Sequence, residues 1–313
     1  MGFFAILIAL LLEQARSLGH DNIAHAALRS WARTVRRNID AGHAAQGWIA
    51  WSLAVGVPSL IAVVIYWTLW SFSSVLGFVW LVVVLYVTLG FRQFSHHFRE
   101  IRHALDEGDE AQARLKLAAW LRVEASSLPR TELLRQVIQH SVLSAHRHVF
   151  GVLVVFVVFW MLGLGPAGAI FYRMAEYLSR NWQARGDNSR SPSLQMAAAR
   201  AWAGVDHFPA RATAVAFAVV GNFEEAVASW RSDAALYAPG SDGVVLAATS
   251  GALNVRLAPR VQATPAPAAA ADTESVRPDP ELAHLSGVVG LVWRAVVLWM
   301  LVLVLLSLAR LPI

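Results

Sequence analysis

The run VFGVLVVFVVFWMLGLGPAGAIFYRM, residues 149–174, decides how this chain folds. Its first half is apolar enough for hydrocarbon, and Gly163, Gly165, Pro166 and Gly168 then interrupt it. At membrane depth a broken backbone is tolerated only where protein or water satisfies the freed N–H and C=O groups. The run therefore reads either as one kinked span or as a re-entrant helix pair. Basic loops mark the cytoplasmic side of a membrane protein. Nine basic residues lie in 92–147 and six arginines in 172–211, so a pair that enters and leaves on one face is favoured.

Outward from this run the same pattern recurs. Apolar stretches at 48–70 and 76–90 are separated by Ser71, Ser73 and Ser74, a connection short enough for a helical hairpin. A further stretch at 288–308 is the clearest single span, since about 20 apolar residues cross a bilayer. Shorter apolar segments lie at 2–12 and 212–221. The first lacks a basic n-region and reads as a retained short or interfacial helix. Between these segments, Ala27, Leu28, Trp31, Ala32 and Val35 have helical spacing, as do Leu133, Leu134, Val137, Ile138 and Val142. Asp109 is a plausible N-cap after the turn Asp106–Gly108. Residues 262–280, rich in Ala and Pro, read as a flexible linker carrying no chemistry. The expectation is an all-α, polytopic helical membrane protein. It is one integral membrane domain over 1–313, with about 4–6 membrane segments and amphipathic helices in basic cytoplasmic loops.

Composition agrees. Of 313 residues, 57% are hydrophobic and 15% charged, well below the quarter typical of soluble domains. There is no cysteine, which excludes disulfides, thiolate catalysis and cysteine-ligated metals. The net charge of +5 is distributed among loops between apolar runs, which is membrane topology and not a nucleic-acid footprint. No phosphate-binding glycine loop is present, and the glycines at 163, 165 and 168 read as a helix break. His96 and His97 are adjacent and splay to different helix faces, so they read as surface histidines, leaving any metal site unknown. Glu176 stands three residues after Arg173 and four before Arg180, the spacing of helix-surface ion pairs.

One polar stretch stands apart. Val205-Asp206-His207-Phe208-Pro209-Ala210-Arg211 places a carboxylate, an imidazole and a guanidinium at the doorstep of an apolar segment. Pro209 predicts a stiff loop, with Arg211 at the lipid headgroup level. It reads either as a polar site or as a snorkelling anchor.

Read as a whole, the chain resembles the CobD/CbiB family of cobalamin biosynthesis membrane proteins, which is distantly AmpE-like. The resemblance is carried by Ala113 to Leu117, Gly165-Pro166-Ala167-Gly168-Ala169 with Tyr172-Arg173, Ala199-Arg200, Phe208-Pro209-Ala210-Arg211 and Gly251 to Leu257. It implies an inner-membrane, multi-pass enzyme embedded in the lipid bilayer. That enzyme would join aminopropanol or its phosphate to the corrinoid adenosylcobyric acid by an amide bond, with ATP and Mg²⁺. It also implies Glu124 and Asp206 as catalytic acids, and Arg200 and Arg211 as phosphate-binding residues. The family's Gly-Arg-Asp-Thr element falls on Arg122-Val123-Glu124-Ala125, and its Glu-x-x-x-Glu-Asn-x-x-Asp run falls on Gln139 to His148, which holds no acid. Its Asp-Asp pair falls on Trp202-Ala203, leaving Asp206 nearby. The alternative implied by these losses is a non-catalytic, AmpE-like membrane sensor.

Overall fold

A computed structural model describes residues 2–15, 23–39, 43–121, 124, 127–183, 192–258 and 277–309. Among them every regular element is helical: α1 (Gly2–Ala15), α2 (Ile23–Ile39), α3 (Ala44–Phe72), α4 (Ser74–Thr88), α5 (Phe91–Asp106), α6 (Glu110–Leu121), α7 (Arg130–Ala145), a π-turn (His146–Phe150), α8 (Gly151–Met161), α9 (Ala167–Gln183), α10 (Pro192–Val205), α11 (His207–Val220), α12 (Phe223–Tyr237), α13 (Ser241–Leu253) and α14 (Leu282–Leu308). Among the described residues three continuous helical stretches are long and apolar enough to cross a membrane, Ala45–Phe72, Arg130–Met161 and Leu282–Leu308. Shorter apolar helices are α1, α4 and α11. The protein is a polytopic helical membrane protein. Its chain divides into two compact units, one of residues 1–90, 147–209 and 303–313, the other of 91–146 and 210–302.

In the first unit α3 and α4 form the expected hairpin. Ser73 ends one helix in an extended conformation and caps the next by accepting from the Val75 N–H. Trp80 Nε1 donates across the pair to the Ala62 carbonyl at 3.2 Å. The opposite side of α3 is small, with Ala50 and Ala54 fully buried beside Leu178 of α9 and Ala198 of α10. Small residues let helix backbones approach closely, which is how apolar helices associate when lipid is as apolar as their side chains.

The run 149–174 forms two helices, as the helix-pair reading has it, but with different bounds. Its first part continues a helix that begins at Arg130, so the span is Arg130–Met161. The π-turn at His146–Phe150 changes the helical phase there. The second part, α9, is an amphipathic helix bearing Arg173, Glu176 and Arg180. Between them Gly163 (φ 79°) and Gly165 (φ 57°) take left-handed conformations, which glycine adopts at no steric cost. The chain folds back, and α9 lies so close on α8 that a Cβ on Gly168 would meet the Val155 carbonyl oxygen at 2.4 Å. A Cβ on Gly151 would likewise strike the Tyr172 hydroxyl, and that hydroxyl donates to Asp206 Oδ1 at 2.7 Å. Tyr172 and Asp206 are both fully buried. Burial first, and the neighbouring Asp206 carboxylate second, push the Tyr172 phenol well above its ordinary pKa, so it remains a donor.

The stiff loop expected over 205–211 is mostly helix. A single turn at Asp206 separates α10 from α11, and Pro209 occupies the first turn of α11. Proline is tolerated there because the first-turn N–H groups have no intrahelical acceptor.

In the second unit α12 and α13 pack backbone to backbone: a Cβ on Gly251 would meet the Glu225 carbonyl oxygen at 2.2 Å. Most of the 262–280 linker lies outside the described residues. The linker's last described residues, however, carry a buried charge. Arg277 is inside the unit, donating to Ser229 Oγ (3.0 Å), Ser250 Oγ (3.3 Å) and Glu225 Oε2 (3.1 Å). Asp233, completely buried, accepts no hydrogen bond among the described residues, and the charge facing it is Arg277 at 4.0 Å. Two residues on, Asp279 accepts from Arg256 and pairs with Arg135 of α7 at 3.6 Å.

Two outcomes follow. Arg277→Met strands the Asp233 carboxylate, and breaking such a buried pair costs about 3–5 kcal/mol. The drop in thermal midpoint in detergent should be partly reversed by adding Asp233→Asn. Gly151→Ala should lower stability by about 1–3 kcal/mol through overpacking, read as a lower thermal midpoint in detergent, because the added methyl meets both the hydroxyl and the ring of Tyr172.

Candidate functional site

Pro129 sits just before the first turn of α7, and Glu132 places an acid in that turn, where the helix dipole favours it. Residues three, four and seven apart share a helix face. Glu132, Gln136, Gln139, His140 and Leu143 therefore form one stripe, and all five line an open cleft of about 570 Å³. Leu121, at the end of α6, and Glu124, in the connection to α7, complete its wall. Glu124 is exposed.

The stripe is fixed from behind. Arg135, nearly inaccessible, donates to Glu132 and faces Asp279. Gln136 Nε2 also reaches Glu132, at 3.3 Å. Gln139 Nε2 donates to the Leu257 carbonyl at 2.6 Å, which ties α7 to the extended residues after α13. That segment leaves α13 through Asn254, the one non-glycine residue with positive φ among those described. Its Arg256 donates to Asp279 and its backbone N–H to the Pro278 carbonyl at 2.9 Å. On the other side His140 stacks edge-to-face on Trp120 with ring centroids 4.4 Å apart. The cleft thus presents two carboxylates, two primary amides and one imidazole. Such a set holds a cationic amine, hydrogen-bonds carboxamides and carboxylates, and moves a proton.

Of the four residues expected from sequence, Glu124 lies on this cleft. Asp206 lies in the first unit, bonded to Tyr172. Arg200 is exposed on α10, and Arg211 is half-buried on α11. Glu132, Gln136, Gln139 and His140 were not singled out, although their spacing on one helix face is visible in the sequence. Arg277 and Asp279 lie where only a linker was read. His96, His97 and His103 are exposed and face Glu100 or Glu107, as surface histidines do. Glu176 pairs with Arg173 at 3.2 Å and with Arg180, as its spacing indicated, but it is buried and not on the helix surface. Among the described residues, no three His, Asp or Glu side chains converge to hold a metal ion.

Comparison with known proteins places the cleft in a family context. The profile of the CobD/Cbib protein family matches residues 3–292. A cobalamin biosynthesis protein CobD of Stutzerimonas stutzeri strain A1501 is 31% identical over 317 aligned positions, covering 96% of each chain. A protein of the same name from Chromobacterium violaceum is 32% identical over 176 positions, 56% of this chain and 54% of its own. No solved structure matches the chain. With a family match over nearly its whole length and a full-length relative above 30% identity, the chain belongs to the CobD/CbiB family.

Proposed function

We propose that the protein acts in cobalamin biosynthesis as a multi-pass protein of the bacterial inner membrane, joining aminopropanol or its phosphate to adenosylcobyric acid through an amide bond. The observation that carries this reading is the meeting of Glu124 with Glu132, Gln139 and His140 on one cleft, in a chain matched by the family over residues 3–292. The relatives' shared name supports the pathway.

The chemistry assigns the roles. Aminopropanol arrives as an ammonium, which must lose a proton before its nitrogen attacks the corrinoid carboxyl carbon. Glu124, open to solvent on the cleft wall, is the proposed base, with Glu132 holding the cation. The carboxyl oxygen leaves with the terminal phosphoryl group of ATP, giving ADP and phosphate. Magnesium is commonly held by one or two carboxylates together with substrate phosphates. Magnesium would therefore arrive with ATP, as part of that substrate. Arg200 and Arg211 are the proposed phosphate partners. Asp206, enclosed beneath Tyr172, would act by fixing that ring.

A second reading, a non-catalytic AmpE-like membrane sensor, is favoured by one observation. Much of the polar stripe is already satisfied internally, Glu132 by Arg135 and Gln136, and Gln139 by the Leu257 carbonyl.

Purified protein given adenosylcobyric acid, aminopropanol and Mg-ATP should yield a product heavier by the aminopropanol less one water, read by mass spectrometry. Glu124→Gln should slow this about 10²-fold, the usual contribution of a general base, with the thermal midpoint unchanged. Corrinoid at ~100-fold its Kd should stabilise the protein by about 2.7 kcal/mol. Stabilisation without product selects the sensor reading. The absence of both rejects the corrinoid assignment.

A further inference from the structure

A second cavity, unrelated to the α7 cleft, lies in the first unit. It measures about 480 Å³ and is enclosed by α2, α3, α4 and Ile170 of α9. Its walls are apolar: Leu28, Pro58, Ala62, Val84 and Val87 are representative. The few polar groups on it are mostly committed, Thr88 Oγ1 to the Val84 carbonyl and Trp80 Nε1 to the Ala62 carbonyl. Trp31 differs. It lines the cavity, and its Nε1 is buried with no hydrogen-bond acceptor among the described residues. A buried donor left unmatched costs about 1–3 kcal/mol, so an acceptor supplied by a ligand would be favourable there.

Two features identify the occupant. The cavity wall includes Ile61 and Val83, both exposed, on the helices α3 and α4 whose exposed residues are the large apolar ones a bilayer covers. Whatever enters comes from the lipid. The second feature is charge. α2 carries Arg29, Arg33, Arg36 and Arg37 and no acid, with Arg36 and Arg37 in its last turn. Only residues 40–43 separate α2 from α3, so the two run antiparallel, and the basic end of α2 lies beside the start of the membrane-spanning α3. Leu28 and Trp31, on the cavity, lie one to two turns further from that end. An amphipathic helix bearing several arginines is the form that binds anionic headgroups.

We propose that this cavity binds one acyl chain of an anionic glycerophospholipid, with Trp31 Nε1 donating to an ester carbonyl and the basic end of α2 meeting the phosphate. The chain lies along Pro58 and Ala62 of α3, where it fills space that protein side chains leave empty. The lipid thereby joins α2 to the α3–α4 hairpin.

The test titrates phosphatidylglycerol and phosphatidylcholine against the full chain in detergent micelles, counting bound lipid by native mass spectrometry. Phosphatidylglycerol should bind at least tenfold more tightly. Ala27→Phe, which adds a ring from an exposed position on the cavity wall, should weaken both lipids at least tenfold. Arg33→Gln with Arg37→Gln, both exposed, should abolish the preference and leave phosphatidylcholine binding unchanged. Circular dichroism should show all variants equally helical. Equal binding of the two lipids by the unaltered protein overturns the headgroup assignment, and undiminished binding by Ala27→Phe overturns the cavity assignment.

Discussion

The second unit depends on one buried guanidinium. Arg277 has little access to water, and a charge in that position persists only when matched and hydrogen-bonded. Asp233 and Glu225 supply the charge, and Ser229 and Ser250 take further hydrogen bonds. These partners lie on α12 and α13, so the arginine fastens the chain that follows residue 276 onto that helix pair. Ser250 is shared: it accepts from Arg277 and donates to the Val255 carbonyl at 2.6 Å. The extended residues 255–257 are thus held from the same point, and they place the Leu257 carbonyl under Gln139. The face that α7 presents to the cleft is the last link of this series.

Membrane character was legible because it is written in long stretches. The α3–α4 hairpin, the closing span and the break at Gly163–Pro166 follow from hydropathy and from two residue types with special backbone behaviour. The start of the middle span was not legible. Residues 130–148 contain Arg130, Glu132, Arg135, Arg147 and three histidines, which read as a soluble segment, yet they continue into α8 as one helical stretch. Arg135 is buried because Glu132 and Asp279 neutralise it, and the second of these lies 144 positions away in sequence. Pairing at that separation leaves no local pattern. The same holds for Arg277, whose surroundings in sequence are those of a linker. Asp109 illustrates the opposite case. Its carboxylate accepts from the Gln112 N–H at 2.9 Å, a cap set wholly by residues three positions apart.

The site was half legible for a related reason. Glu124 was found through its place in a family element, and it does face a cleft. Its neighbours on the cleft are Glu132, Gln136, Gln139 and His140, and their spacing along one helix face was the signal the sequence carried. Amides add hydrogen-bonding capacity without charge, so the charge on this cleft rests on its two glutamates, Glu124 and Glu132.

The stretch around Asp206 takes a different role from the one its residue types suggest. A carboxylate, a histidine and an arginine in near succession resemble the ingredients of a reactive site. Yet the carboxylate is fully enclosed, holds the Tyr172 hydroxyl, and immediately precedes the first turn of α11, where unpaired N–H groups favour negative charge. Tyr172 in turn fits only because position 151 has no side chain. The turn, the tyrosine and the glycine therefore form one packing unit that joins α8, α9 and α10. A buried Asp at a helix start is a strong orienting group because it cannot relax toward water. Asp206 touches its surroundings through Tyr172 and has no path to solvent, whereas Glu124 is exposed on its cleft.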